Sequence, residues 1–117
     1  MRYMLLIWEN EAISAARSEE EQEAVFAEYR DFTGALRDKD VFRAGDPLLP
    51  SETASTVRVR DGKVVTTDGP FAETREQLGG YYIVECETLE EACGYAARIP
   101  TARDGAIEVR PIMEFDG

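Results

Sequence analysis

The chain has 117 residues, 44% hydrophobic and 32% charged, with a formal net charge of -11. That is the length of one domain, with enough apolar material for one core, and its acidic balance repels nucleic-acid phosphates and anionic lipid. Histidine is absent, which excludes imidazole bases, Ser-His triads and His-ligated metals and leaves acid-base work to Asp, Glu, Tyr, Lys or Cys.

The first element is the run Tyr3-Met4-Leu5-Leu6-Ile7-Trp8. It is too short to span a membrane and carries no signal-peptide pattern, so a soluble cytoplasmic protein is expected. Without apolar-polar alternation it reads as a strand covered on both faces. The domain's own helices cover one face; a second subunit covers the other, or Trp8 and its same-face neighbours line a ligand cavity.

Asn10 to Arg17 reads as a polar connection. Ser18 with Glu21 forms a capping box that opens an amphipathic helix to about Asp40, with Val25, Phe26, Tyr29, Phe32, Thr33 and Leu36 on its apolar face. Val41 to Gly45 is a short strand, ended by Asp46-Pro47 and an irregular loop through Pro50. Thr56 to Arg60 alternates with period two, Asp61-Gly62 is a strong hairpin signal, and Lys63 to Thr67 runs back.

Asp68-Gly69-Pro70-Phe71 predicts an abrupt reversal, because Gly permits positive φ and Pro restricts both itself and its predecessor. Gly79-Gly80 lets backbone approach a neighbour closely. The segment is either a structural corner or a loop that carries a site. A strand from Tyr81 to Cys86 follows, then a helix opened by a Thr88–Glu91 capping box and ended by Pro100. The last strand, Ile107 to Met113, contains Pro111, which argues for an edge or a bulge. Cys86 and Cys93 lack metal-ligand spacing and read as reduced thiols serving as small core residues.

With the hairpin set aside as an insertion, the order is βαββαβ: an α+β, ferredoxin-like domain over 1–117, both helices on one face of an antiparallel sheet. The residues that carry a family resemblance are Met1 to Ile7, Ala44-Gly45, Thr56 to Gly62, Asp68 to Tyr82, Ala97 to Pro100, and Glu108 to Pro111. Over essentially its full length the chain resembles the YCII-related family and, within it, the DGPF-domain branch. The resemblance implies a homodimeric α+β barrel in which two sheets meet face to face around paired clefts. It also implies an active-site pair in the family at large, a His on the first helix and an Asp before a Pro-aromatic step. Here Glu28 stands near the first position and Ile99 in the second, so that activity, which includes a dehydrochlorinase, does not carry over. Members of the DGPF branch often resemble products of genes beside extracytoplasmic-function sigma factors, which points to regulation.

Two functions follow from these residues. The first is a small-molecule-binding dimer acting as a cofactor-free, metal-free lyase or isomerase. Asp68, Glu73 and Glu28 would be its acid-base groups, Arg75 its anion clamp, Tyr81 and Tyr82 its oxyanion donors, and Phe71 and Trp8 apolar contacts. The second is a non-catalytic sensor acting with a partner protein such as a sigma factor, through an acidic surface and with salt-sensitive binding. Heme-free monooxygenase-like chemistry, which dimeric α+β barrels can host, is a third reading that no residue selects.

Overall fold

The computed structural model describes residues 1–116. Its elements are β1 (Arg2–Asn10), α1 (Glu11–Ala15), α2 (Glu19–Asp38), β2 (Phe42–Pro47), β3 (Ser55–Arg60), β4 (Lys63–Asp68), β5 (Glu76–Glu85), α3 (Leu89–Ala96) and β6 (Ala106–Pro111). Four strands form one antiparallel sheet in the order β2-β5-β1-β6, while β3 and β4 pair as a separate two-stranded ribbon. With the ribbon removed, the fourth strand lies beside the first, then the third, then the second. That is the order of a ferredoxin-like α+β fold, as the sequence predicts.

β1 is the centre of the structure and does alternate. Tyr3, Leu5 and Ile7 are buried on the helix side, and Met4, Leu6 and Trp8 are half-buried on the other. The run is apolar throughout because one set of residues builds the core and the other lies on a face that this chain leaves without a helix. The core is completed by Tyr82, Val84 and Cys86, by Phe32 and Leu36 of α2, by Ala92 and Ala96 of α3, and by Ile99. Phe32 meets Tyr82 edge-on, with ring centroids 5.2 Å apart, a favoured aromatic geometry.

The helix caps explain where the helices begin. Ser18 Oγ accepts from the Glu21 N–H and Glu21 Oε1 accepts from the Ser18 N–H, both at 3.1 Å, so the predicted capping box opens α2. Thr88 Oγ1 accepts from the Glu91 N–H at 3.1 Å, but α3 has only this single cap and no reciprocal bond from the Glu91 side chain. Asn10 to Arg17 is more than a connection: Asn10 Oδ1 accepts from the Ala12 N–H at 3.0 Å and caps the one-turn helix α1. α3 stops at Ala96, and Pro100 opens a separate 3-10 turn. Phe26 is 62% exposed and so belongs to the surface rather than to the core.

β5 begins at Glu76, five residues before the predicted start, and runs through Gly79-Gly80. Its register against β1 pairs Ile7 with Gly80 and Trp8 with Leu78, so Gly79 is left over as a bulge. The ribbon turns at Asp61-Gly62, both at positive φ (52° and 75°), the tight hairpin that this pair favours. Val57, Val59 and Val64 of the ribbon stay exposed. The radius of gyration is 16.2 Å, against about 13 Å for a compact chain of this length, and the ribbon is separate from the main sheet. Among the described residues, no helix is long and apolar enough to cross a membrane.

Leu36 is fully buried and Phe26 is largely exposed, although both were read from the same helical stripe. Leu36→Ala is expected to cost about 2–5 kcal/mol of stability through the cavity it leaves, and Phe26→Ala to leave stability within about 0.5 kcal/mol of the wild type. Urea denaturation of the two variants would reverse this ranking if α2 were rotated from the orientation described.

Candidate functional site

The bulge in β5 and the close packing of β2 on Tyr82 open a cleft between α2 and the sheet, with a volume of about 490 Å³. Its apolar wall includes Ile7, Val25, Phe26, Phe42 and Leu48, and its polar groups include Glu9, Arg17, Tyr29, Thr33, Arg37, Asp46 and Thr101. Gly79 lies against Glu9: a Cβ built at Gly79 would stand 2.6 Å from the Glu9 carboxyl carbon. A side chain there would push the carboxylate out of place, so the bulge and the glycine together seat Glu9 in the cleft.

Glu9 is one of two carboxylates that line the cleft, the other being Asp46. Half-buried, Glu9 receives a long hydrogen bond from Ser14 Oγ at 3.5 Å. Burial, reinforced by the nearby Glu11 carboxylate, pushes its carboxyl above the usual range, while the Ser14 bond and the Arg17 charge pull the other way. Arg17 is shared, donating to Asp104 Oδ2 at 3.1 Å. Two phenols stand nearby, and burial raises both above the usual tyrosine range. Tyr29 shares a 2.6 Å hydrogen bond with Thr101 Oγ1, and Tyr82 a 2.8 Å hydrogen bond with Thr33 Oγ1. Both are neutral hydroxyls at physiological pH, able to donate to an oxygen that gains negative charge.

Of the residues proposed from the sequence, Tyr81 and Tyr82 line the cleft. Tyr81 donates to Asp46 Oδ2 at 2.8 Å, and that bond raises its pKa. The others lie elsewhere in the chain. Asp68 ends β4 on the surface, where the reversal is held by Gly69 N–H to Ala54 O at 2.7 Å and Thr56 Oγ1 to Gly69 O at 2.9 Å. Gly69 has φ +103°, so the turn does need a glycine. Phe71 is 80% exposed, with the Arg58 guanidinium 5.5 Å from its ring centre. Glu73 and Arg75 are exposed in the same loop, which Gln77 ties together through Nε2 donation to Ala72 O and Thr74 O at 2.9 and 3.0 Å.

Glu28 forms a two-bond ion pair with Arg103, at 2.7 and 2.9 Å, which holds its carboxyl below the usual range. Ile99, at the other position of the family pair, is buried in the core. Trp8 points to the uncovered sheet face, where its Nε1 donates to Glu108 Oε1 at 3.0 Å. Among the described residues, no group of three or more Cys, Asp and Glu side chains converges as a metal site.

Sequence reasoning missed Glu9. The signal was present as a lone carboxylate ending an apolar strand, together with a Gly-Gly pair that needed a close neighbour. What joins them is the β1–β5 register, a contact between residues about seventy positions apart.

The sheet order, the helices on one face and the cleft at the β5 bulge define a ferredoxin-like α+β domain with a small-molecule-sized cavity. The YCII-related domain model matches residues 1–116, and the chain belongs to that family. It is also similar to "Uncharacterized protein R00369" of Rhizobium meliloti (strain 1021), 37% identical over 121 residues that cover 98% of this chain and 94% of the relative.

The raised Glu9 carboxyl has a measurable consequence. Its folded-state midpoint lies above the unfolded one, so the native state holds this proton more tightly. Its contribution to stability is therefore full below the unfolded pKa and is lost as pH rises through the folded one. The stability of the wild type relative to Glu9→Gln is expected to fall, by urea denaturation, as pH rises from below the ordinary carboxylate range through the raised Glu9 midpoint. Carboxyl-carbon NMR should show Glu9 titrating above the other glutamates; a midpoint in the ordinary range would remove the burial argument.

Proposed function

We propose that this YCII-related chain, as a member of the DGPF branch, binds a small organic molecule in the cleft and moves a proton on it without a cofactor, as a lyase or isomerase. The observation that carries this reading is the Glu9 carboxyl, half-buried in the cleft beside two neutral phenols. A carboxyl whose proton is held more tightly than usual is suited to take a proton from carbon and return it to a neighbouring atom. Tyr29 and Tyr82 are placed to donate to the oxygen on which charge would develop. This assignment puts Glu9 in the role that the sequence suggested for Asp68, Glu73 and Glu28, and leaves the loop at Asp68 to Arg75 as a surface corner.

The same reading takes the active form to be a homodimer. Met4, Leu6, Trp8 and Ile83 alternate with the core residues on the sheet face that carries no helix. A second copy packed sheet to sheet would cover them, as the family resemblance implies, at the spacing of about 10 Å usual for stacked sheets.

The test is hydrogen exchange on carbon. Wild-type protein is incubated in D2O with a pool of small carbonyl acids and lactones, and loss of C–H signal is followed by proton NMR. Deuterium is expected to enter at least one member, with Glu9→Gln slowing that exchange by about 100-fold or more. Equal exchange by wild type and variant would take Glu9 out of the mechanism. Sedimentation equilibrium at micromolar concentration is expected to give twice the chain mass, and a monomer there would end the dimer reading.

A further inference from the structure

The charged groups of the cleft are not equally occupied. Arg17 is held by Asp104, and Asp46 accepts from Tyr81. Glu9 lies next to Ser14 and to Arg17, which is already engaged. Arg37 differs: it lines the same cleft, and among the described residues it forms no ion pair. Its guanidinium instead lies over the Phe42 ring, 4.8 Å from the ring centre. In a chain with a net charge of -11, a cation in a cleft with no carboxylate partner stands out, since acidic side chains outnumber basic ones nearly two to one. Its place in the last turn of α2 suits the helix dipole, but any cation pointing to solvent would serve that purpose. Stacking on Phe42 brings this one to the cleft wall and leaves its N–H edge able to accept an anion.

Between Arg37 and Glu9 the wall is apolar or carries hydroxyls already paired with each other: Phe26, Phe42, Tyr29 with Thr101, and Tyr82 with Thr33. Resting on the reading of the cleft as a small-molecule site, we propose that its ligand is an organic anion. A carboxylate would be held by Arg37, an apolar or aromatic body would lie along Phe42 and Phe26, and the reactive end would be turned toward Glu9. Arg37 would then supply binding and orientation while Glu9 handles the proton. Loss of Arg37 should therefore act on affinity and loss of Glu9 on the proton step.

The experiment uses the full-length chain and a panel of aromatic and aliphatic monocarboxylates of six to ten carbons, each paired with its primary amide. Binding is read by chemical-shift changes of the Gly79, Gly80 and Tyr82 amides. At least one carboxylate is expected to bind about ten-fold or more tightly than its amide, an advantage that Arg37→Gln removes and Arg37→Lys keeps in part. Arg37 is exposed, so both variants should fold, and unchanged amide spectra outside the cleft verify this. Carboxylate and amide binding equally well would overturn the ligand class and leave the small-molecule reading standing. A carboxylate preference that survives Arg37→Gln would overturn the role of Arg37. No shift with any panel member would overturn both readings.

Discussion

Pairing of β1 with β5 is the constraint on which the rest of this structure depends. It places the two most apolar strands at the centre of the sheet and, through the Gly79 bulge, breaks their register between Ile7 and Trp8. On one side of the break the alternation builds the core from Leu5 and Val84. On the other it puts a charged side chain, Glu9, in a cleft instead of in solvent. A bulge adds one residue to a strand at a small cost in ladder hydrogen bonds; here that residue is Gly79, whose lack of a side chain leaves room for the Glu9 carboxylate in the cleft.

The cleft depends equally on packing that takes no part in chemistry. Gly45 lies against the Tyr82 ring, where a built Cβ would be 2.8 Å from Cδ1, and Tyr82 in turn packs edge-on against Phe32 of α2. The same phenol ring is thus core at one edge and cleft wall at its hydroxyl. Tyrosine suits this position because its ring can be buried while its oxygen finds Thr33. The helix, the edge strand and the central strand are therefore tied together at the floor of the cavity, and a shift in any one of them would move the polar groups of the other two.

Much of the architecture was legible from local chemistry. Ser18 with Glu21, Asp61-Gly62 and the apolar strands each carry their signal within a few residues, and the βαββαβ order follows from them. Gly69 was legible as well, since a tight reversal needs positive φ. Phe26 is exposed although it shares the apolar stripe, because periodicity identifies the stripe of a helix and not which end of it the sheet covers. The site was harder to see. The Asp68 to Arg75 loop has the residue types of a functional loop, but its turn is satisfied by local bonds to Ala54 and Thr56. Glu28 carries no local sign of a partner, yet Arg103, seventy-five residues away in the chain, donates to it. Both contexts are set by partners that only tertiary structure brings together.

The two outermost strands share an ending. β2 closes on Pro47 and β6 on Pro111, and neither residue has an N–H to offer a further strand. Each free border of the sheet is thus interrupted at the tip where an added strand would have to register, a device that discourages open-ended ladder growth and the fibres that follow from it. For an acidic chain with a long apolar centre, self-association is thereby steered away from its borders.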